Sequence, residues 1–165
     1  MSGSNSFRGL TGAQSDIIEY WRSLRPPLGL PTRGQLDPGV LRAHLSSISM
    51  IQVEEQGSLR FRFAGSGLRA ALGQDVSGKR LQDLSGASVD MLSLGITAAI
   101  ERQAPVGGVI ERTRDRQVWL RLPFSGSDGE GLVILCHDVL VREELSQPSG
   151  RMSPGMSATR TSLAA

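Results

Sequence analysis

Residues 59 to 84 read LRFRFAGSGLRAALGQDVSGKRLQDL. The first of them alternate Leu59, Phe61 and Phe63 with Arg60 and Arg62, which predicts a half-buried strand with three large apolar side chains on one face and two cations on the other. The alternation stops at Gly65-Ser66-Gly67, where Leu68, Ala71 and Leu72 open a pattern of helical spacing that Gly73 ends. Gly78 interrupts the chain again, and Leu81 and Leu84 form one more apolar ridge before Ser85-Gly86. A strand running directly into short, glycine-punctuated helices predicts a cup.

Upstream, Thr11 and Gln14 have the spacing of a capping box, and Ile17, Ile18, Tyr20, Trp21 and Leu24 share one side of a helix that must end before Pro26-Pro27. Asp37-Pro38 has the form of an N-cap followed by proline in the first turn, opening a short helix through Val40, Leu41 and Leu45. His44 falls near its end. With no second histidine or acidic residue at helical ligand spacing, His44 reads as a solvated or capping side chain rather than a metal ligand. Ile48 to Val53 is a further strand, and residues 54 to 58 turn it back into Leu59 to Phe63 as an antiparallel hairpin.

Downstream, Met91, Leu92, Ile96, Ala99 and Ile100 recur at helical spacing, predicting one helix over Ser88 to Gln103 that Pro105 stops. Three extended runs follow, Val106 to Arg112, Gln117 to Phe124 and Leu132 to Val141, with short turns that allow simple hairpins. The last run is apolar at both parities, so both of its faces should be covered: one by the cup helices, the other by the Ile17 to Leu24 helix. The expected class is α+β.

A chain of 165 residues fits one domain, expected over 11–145, with disordered ends at 1–10 and 146–165. No apolar run approaches the roughly 20 residues needed to span a bilayer, and the polar start lacks a signal peptide's apolar centre, so a cytoplasmic location without membrane insertion is expected. Of the 18 basic residues, Arg8, Arg151 and Arg160 lie outside the span Asp16 to Glu144 that holds all 16 acidic ones, which leaves 15 basic against 16 acidic. A nearly neutral folded part argues against a nucleic-acid partner. Cys136 is the one cysteine, which excludes an internal disulfide and any multi-cysteine metal site.

The element order resembles the PAS domain, a five-stranded antiparallel sheet cupping short helices between its second and third strands. More narrowly, it is similar to a bacterial subfamily of short single-domain PAS proteins. That likeness is carried by Tyr20-Trp21-Arg22, LPTRGQLDP at 30–38, RFRFAGSGL at 60–68, LGQDVSGKRLQDL at 72–84 and RLPF at 121–124. It covers about Ile17 to Leu140 and implies a signalling module, although fold alone does not fix function.

Cofactor-bearing relatives supply chemical tests. A flavin photosensor needs a reactive cysteine near the cup helices, whereas Cys136 falls on the last strand; a haem sensor needs an axial histidine on the long cup helix, and 88–103 has none. No cofactor is therefore expected. Cys136 and His137, adjacent on a strand, point to opposite faces and cannot converge on one atom. The residues contain no nucleophile elbow, phosphate loop or histidine-rich metal motif, so an enzyme is a distant third reading. The first reading is a sensory module in which Phe61, Phe63, Leu68, Leu72, Leu81, Leu92 and Ile96 surround a small apolar ligand. The second is a ligand-free dimerisation or docking adaptor. In both, the chain acts in trans on a signalling protein such as a kinase or regulator, and Ile17, Ile18, Tyr20, Trp21 and Leu24 are expected to form a homodimer and output surface.

Overall fold

The structure is a computed structural model, which describes residues 9–127 and 130–142. The capping box forms: Gln14 N donates to Thr11 Oγ1 and Thr11 N donates to Gln14 Oε1, both at 3.2 Å, opening helix α1 (Gly12–Leu24). Asp37 caps α2 (Pro38–Leu41) by accepting from Gly39 N at 2.8 Å, and a 3-10 turn over Arg42–Ser47 leads into β1 (Ile48–Val53). Then come β2 (Leu59–Ala64), α3 (Ser66–Leu72), α4 (Ala87–Ser93), α5 (Ile96–Arg102), β3 (Val106–Glu111), β4 (Asp115–Ser125) and β5 (Leu132–Arg142). The five strands make one antiparallel sheet in the order β2-β1-β5-β4-β3. Among the described residues no helix is long and apolar enough to cross a membrane.

The two faces of the sheet carry separate cores. On the cup face, Ile51, Phe61, Ile134 and Cys136 pack with Val76, Leu81, Val89, Leu92, Ile96 and Ala99. On the outer face, α1 lays Ile17, Ile18 and Trp21 over Leu120, Leu122, Phe124, Val133 and Leu135. Strand β5 is buried on both sides over Val133 to His137, as its apolar first half requires. The ends expected to be disordered lie outside the described residues apart from Gly9 and Leu10, and Leu10 packs against the outer core.

Three expectations are corrected. The first concerns strand parity. Met50 pairs with Phe63 and Ile51 with Phe61, so Arg62 is an extra residue that bulges out of β2. The bulge shifts the alternation: Phe61 and Ala64 are buried towards the cup, whereas Phe63 turns outward and is 38% exposed. Phe63 therefore does not line the cup.

The second correction is that 88–103 is not one helix. It divides at Leu94-Gly95 because Gly95 has φ +72° and lies against the Trp119 indole, where a Cβ would come within 2.2 Å of the ring. A left-handed, side-chain-free position is closed to other residues, so the helix breaks there. The same ring also rests on Gly108 of the neighbouring strand.

The third concerns α1. Ile17, Ile18 and Trp21 are no more than 3% exposed within a single chain, and Trp21 Nε1 donates to Pro123 O at 2.8 Å. Gln14, fully buried, donates to Val118 O at 3.1 Å. These residues hold the helix on its own sheet and are not free to meet a second subunit; Tyr20 and Leu24 only flank the same core.

Phe61→Ala and Trp21→Ala should each cost about 3 to 5 kcal/mol, while Phe63→Ala should cost about 1 kcal/mol or less. Urea denaturation of the three variants measures the order, and an equal loss for Phe61 and Phe63 would contradict the bulge.

Candidate functional site

Strand β4 carries one cation into the cup face. Arg121 is completely buried, between Leu120 and Leu122, which point the other way into the outer core. Its guanidinium meets both carboxylate oxygens of Asp138 on β5, at 3.0 and 3.2 Å. The remaining donors go to backbone carbonyls, Leu94 O at 3.0 Å, Leu120 O at 2.8 Å, Met91 O at 3.3 Å and Leu92 O at 3.4 Å. Met91 and Leu92 lie in the last turn of α4, where Met91 O also accepts from Leu94 N at 3.3 Å, so Arg121 acts as a C-terminal cap that carries a favourable charge. Trp119 stands beside it, with the guanidinium carbon 5.5 Å from the ring centre. Desolvation raises the Asp138 carboxyl above its ordinary range, opposed by the Arg121 charge and hydrogen bonds.

Next to this pair a cleft of about 440 Å³ opens between the Arg42–Ser47 turn, α3, α4 and the end of β5. Leu68, Ala71, Met91, Leu92 and Val139 give it apolar walls; Ser46, Ser47, Ser49, Gln117, Asp138 and Arg112 supply its polar groups. The glycines on this side serve close packing. At Gly65 a Cβ would come within 2.1 Å of Leu45 O, so α3 can approach the Arg42–Ser47 turn only with glycine there. The segment after α3 returns to the sheet, where Gly78 N donates to Phe61 O at 2.7 Å and Phe61 N donates to Lys79 O at 2.9 Å. These backbone groups cover the edge of β2 rather than facing a ligand.

Of the residues expected around a ligand, Leu68 and Leu92 line this cleft. Phe61, Leu81 and Ile96 are packed into the cup core, and Leu72 lies against it. Sequence reading did not single out Arg121, Asp138, Arg112, Gln117 or Ser49. Two of these had a legible signal, since Arg121 interrupts the apolar run VWLRLPF and Asp138 interrupts LVILCHDVLV. A charge inside a buried strand calls for a partner.

Cys136 and His137 point to opposite faces, as neighbours on a strand must. Cys136 is in the cup core, where burial pushes its thiol up to about 11, so it is neutral and a poor nucleophile near pH 7. His137 faces the other way and meets a residue that spacing alone could not bring to it: the rings of His44 and His137 are edge to face, 6.0 Å apart. His137 is 2% exposed, and among the described residues its Nδ1 has no hydrogen-bond partner.

The pair Arg121 and Asp138 and the buried His137 each generate a prediction. Arg121→Met leaves the Asp138 carboxylate without its counter-charge and Leu92 O without this donor, and should cost about 3 to 5 kcal/mol in urea denaturation; a loss under 1 kcal/mol would show that the cap is dispensable. For His137, burial lowers the folded pKa to about 4, assisted by His44 and Arg121. A depressed histidine pKa means that the unfolded chain binds the extra proton between about pH 6.5 and 4, so stability should fall on acidification through that window. The loss from pH 7.5 to 4.5 should be roughly 2 to 3 kcal/mol and should largely disappear in His137→Asn. The raised Asp138 carboxyl acts in the opposite sense nearer its own range, because the folded chain takes that proton first.

No curated protein matches the chain. A family model described as PAS domain matches residues 11–132, a span from the cap of α1 to the start of β5 that takes in the cup helices and four of the strands. With that share of its length matched, and with the sheet order found here, the chain belongs to the PAS domain family.

Proposed function

We propose that the chain is a sensory or regulatory PAS protein acting in trans on a signalling partner such as a kinase or regulator, with a small molecule in the cleft beside Asp138 as its input. PAS domains are generally sensory or interaction modules rather than catalysts. The observation that carries the reading is the position of the cleft: Met91, Leu92 and Asp138, which line it, are the groups that Arg121 binds. A molecule that moves α4 therefore changes the setting of Arg121 on β4. The opposite face of that strand carries α1, whose exposed side, with Asp16, Glu19 and Arg22, is the output surface in this reading. Occupancy can shift such an equilibrium only by its differential affinity for the two states.

The packing of the cup supports a second reading, a ligand-free docking adaptor. Phe61, Val76, Leu81 and Ile96 are at most 6% exposed and fill the space where an enclosed ligand was expected.

Native mass spectrometry of the purified chain, followed by hydrogen exchange with and without any retained molecule, separates the two. The sensory reading expects a retained small molecule whose removal speeds exchange in α4 and α1 together. A chain that carries nothing, and whose effect on the phosphorylation of a reconstituted partner is unaltered by filling the cleft with Ala71→Phe, would support the adaptor. Subunit number from the same spectra tests self-association, for which the buried stripe of α1 offers no surface.

A further inference from the structure

We propose that the cleft binds a small amphipathic carboxylate, its charged head at Arg112 and its apolar body against Leu68, Ala71, Met91 and Leu92. The proposal deepens the sensory reading and rests on it for the role of the cleft; the ligand chemistry rests on the lining groups alone.

The groups left unsatisfied in the cleft decide the sign of the ligand. Asp138 is the carboxylate that lines it, and both of its oxygens are already bound by Arg121. Its charge is therefore already balanced by a guanidinium, which leaves a cationic ligand little unpaired charge to meet. Arg112, in the turn after β3, is differently placed. Its Nη2 donates to Met91 Sδ at 2.9 Å, and its Nε lies 3.9 Å from Asp115 Oδ1, beyond hydrogen-bond length. A thioether is a weak acceptor, so among the described residues this guanidinium has no oxygen within hydrogen-bond length, its ion pair being the loose contact with Asp115, whose Oδ1 also lacks a hydrogen bond. Its side chain is 46% exposed, which puts the cation at the mouth.

A second observation comes from the floor. Ser49 is 1% exposed, and among the described residues its Oγ has no partner beyond a weak contact with the Cys136 thiol across the strands. A buried polar atom without a partner is costly unless something else completes it, and here it lines an open cavity. A ligand can thus satisfy a guanidinium held only loosely by Asp115 and a serine hydroxyl, and the walls between them are aliphatic. Guanidinium forks match carboxylates in geometry as well as charge. A volume of about 440 Å³ lies near the lower end of ligand pockets, which bounds the ligand to a small molecule.

The test is calorimetric titration of the full chain with octanoate, 1-octanol and octylamine, equal in chain length and different in head group. Octanoate should bind most tightly. Arg112→Gln should weaken octanoate about tenfold, the loss of one charge-assisted contact, and leave 1-octanol unchanged. Arg112→Lys should keep part of the preference. Ala71→Phe, at an exposed wall position, should abolish binding of all three while the far-UV circular dichroism stays that of the parent chain. Equal binding of 1-octanol, tighter binding of octylamine, or an unchanged octanoate affinity in Arg112→Gln would overturn the proposal, as would no binding by any probe. Such failure leaves the sensory reading to its own test, the retained molecule and partner phosphorylation.

Discussion

Arg121 brings a charge to a place with no water, and the surrounding structure is arranged around meeting that demand. Desolvating a guanidinium is expensive, and the cost is offset only when every donor finds an acceptor of good geometry. The acceptors come from three elements: the Asp138 carboxylate on β5, Leu120 O on its own strand, and carbonyls at and just beyond the end of α4. Seven residues are too few for a helix to persist on its own. α4 is held because its terminal carbonyls are the ligands of a cation, and the cation is tolerated because the helix ends there.

The same strand also holds the N-terminal helix. On one face β4 presents Trp119 and Arg121 to the cup, and on the other Leu120, Leu122 and Phe124 to α1. The carbonyls of Val118 and Pro123 are bound by Gln14 and Trp21, so α1 is fixed to β4 by hydrogen bonds as well as by packing. The distance between cup helices and flanking helix is therefore one strand thick. A packed interior transmits displacement because it has no slack in which to absorb it.

Much of this was legible in the sequence because it rests on local rules. Thr11 with Gln14, Asp37 with Pro38, the hairpin turns and the two-faced apolar run of β5 each depend on residues a few positions apart. What was not legible depends on partners remote in the chain. The Arg62 bulge is set by the pairing of β2 with β1, and it overrides the period-two pattern that put Phe63 beside Phe61. The break at Gly95 is imposed by Trp119, which arrives from another strand. The pairing of β1 with β5, which brings Ser49 beside Cys136 and His44 towards His137, joins segments more than eighty residues apart. The α1 stripe was correctly read as apolar and as the cover of the outer face, but pattern alone could not say that this cover would leave none of Ile17, Ile18 and Trp21 exposed.

The displacement of the cavity from the centre of the cup to its rim has a physical origin in side-chain size. Branched aliphatic residues and one phenylalanine are able to close the centre: Phe61, Val76, Leu81, Val89, Ile96 and Ala99 meet there with little exposure. At the rim the chain instead presents Ser46, Ser49, Gly67 and Ala71, which are too short to reach across to α4. Space remains where side chains are small, and two of these four are serines. A molecule bound there would replace solvent against a polar floor without repacking the aliphatic core. Its effect on stability would follow from mass action on the folded state, growing with the logarithm of its concentration over the dissociation constant. Such a site can respond to its ligand while the core beneath it stays closed, because the groups that sense occupancy, Met91, Leu92 and Asp138, are those held by Arg121 rather than those that fill the cup.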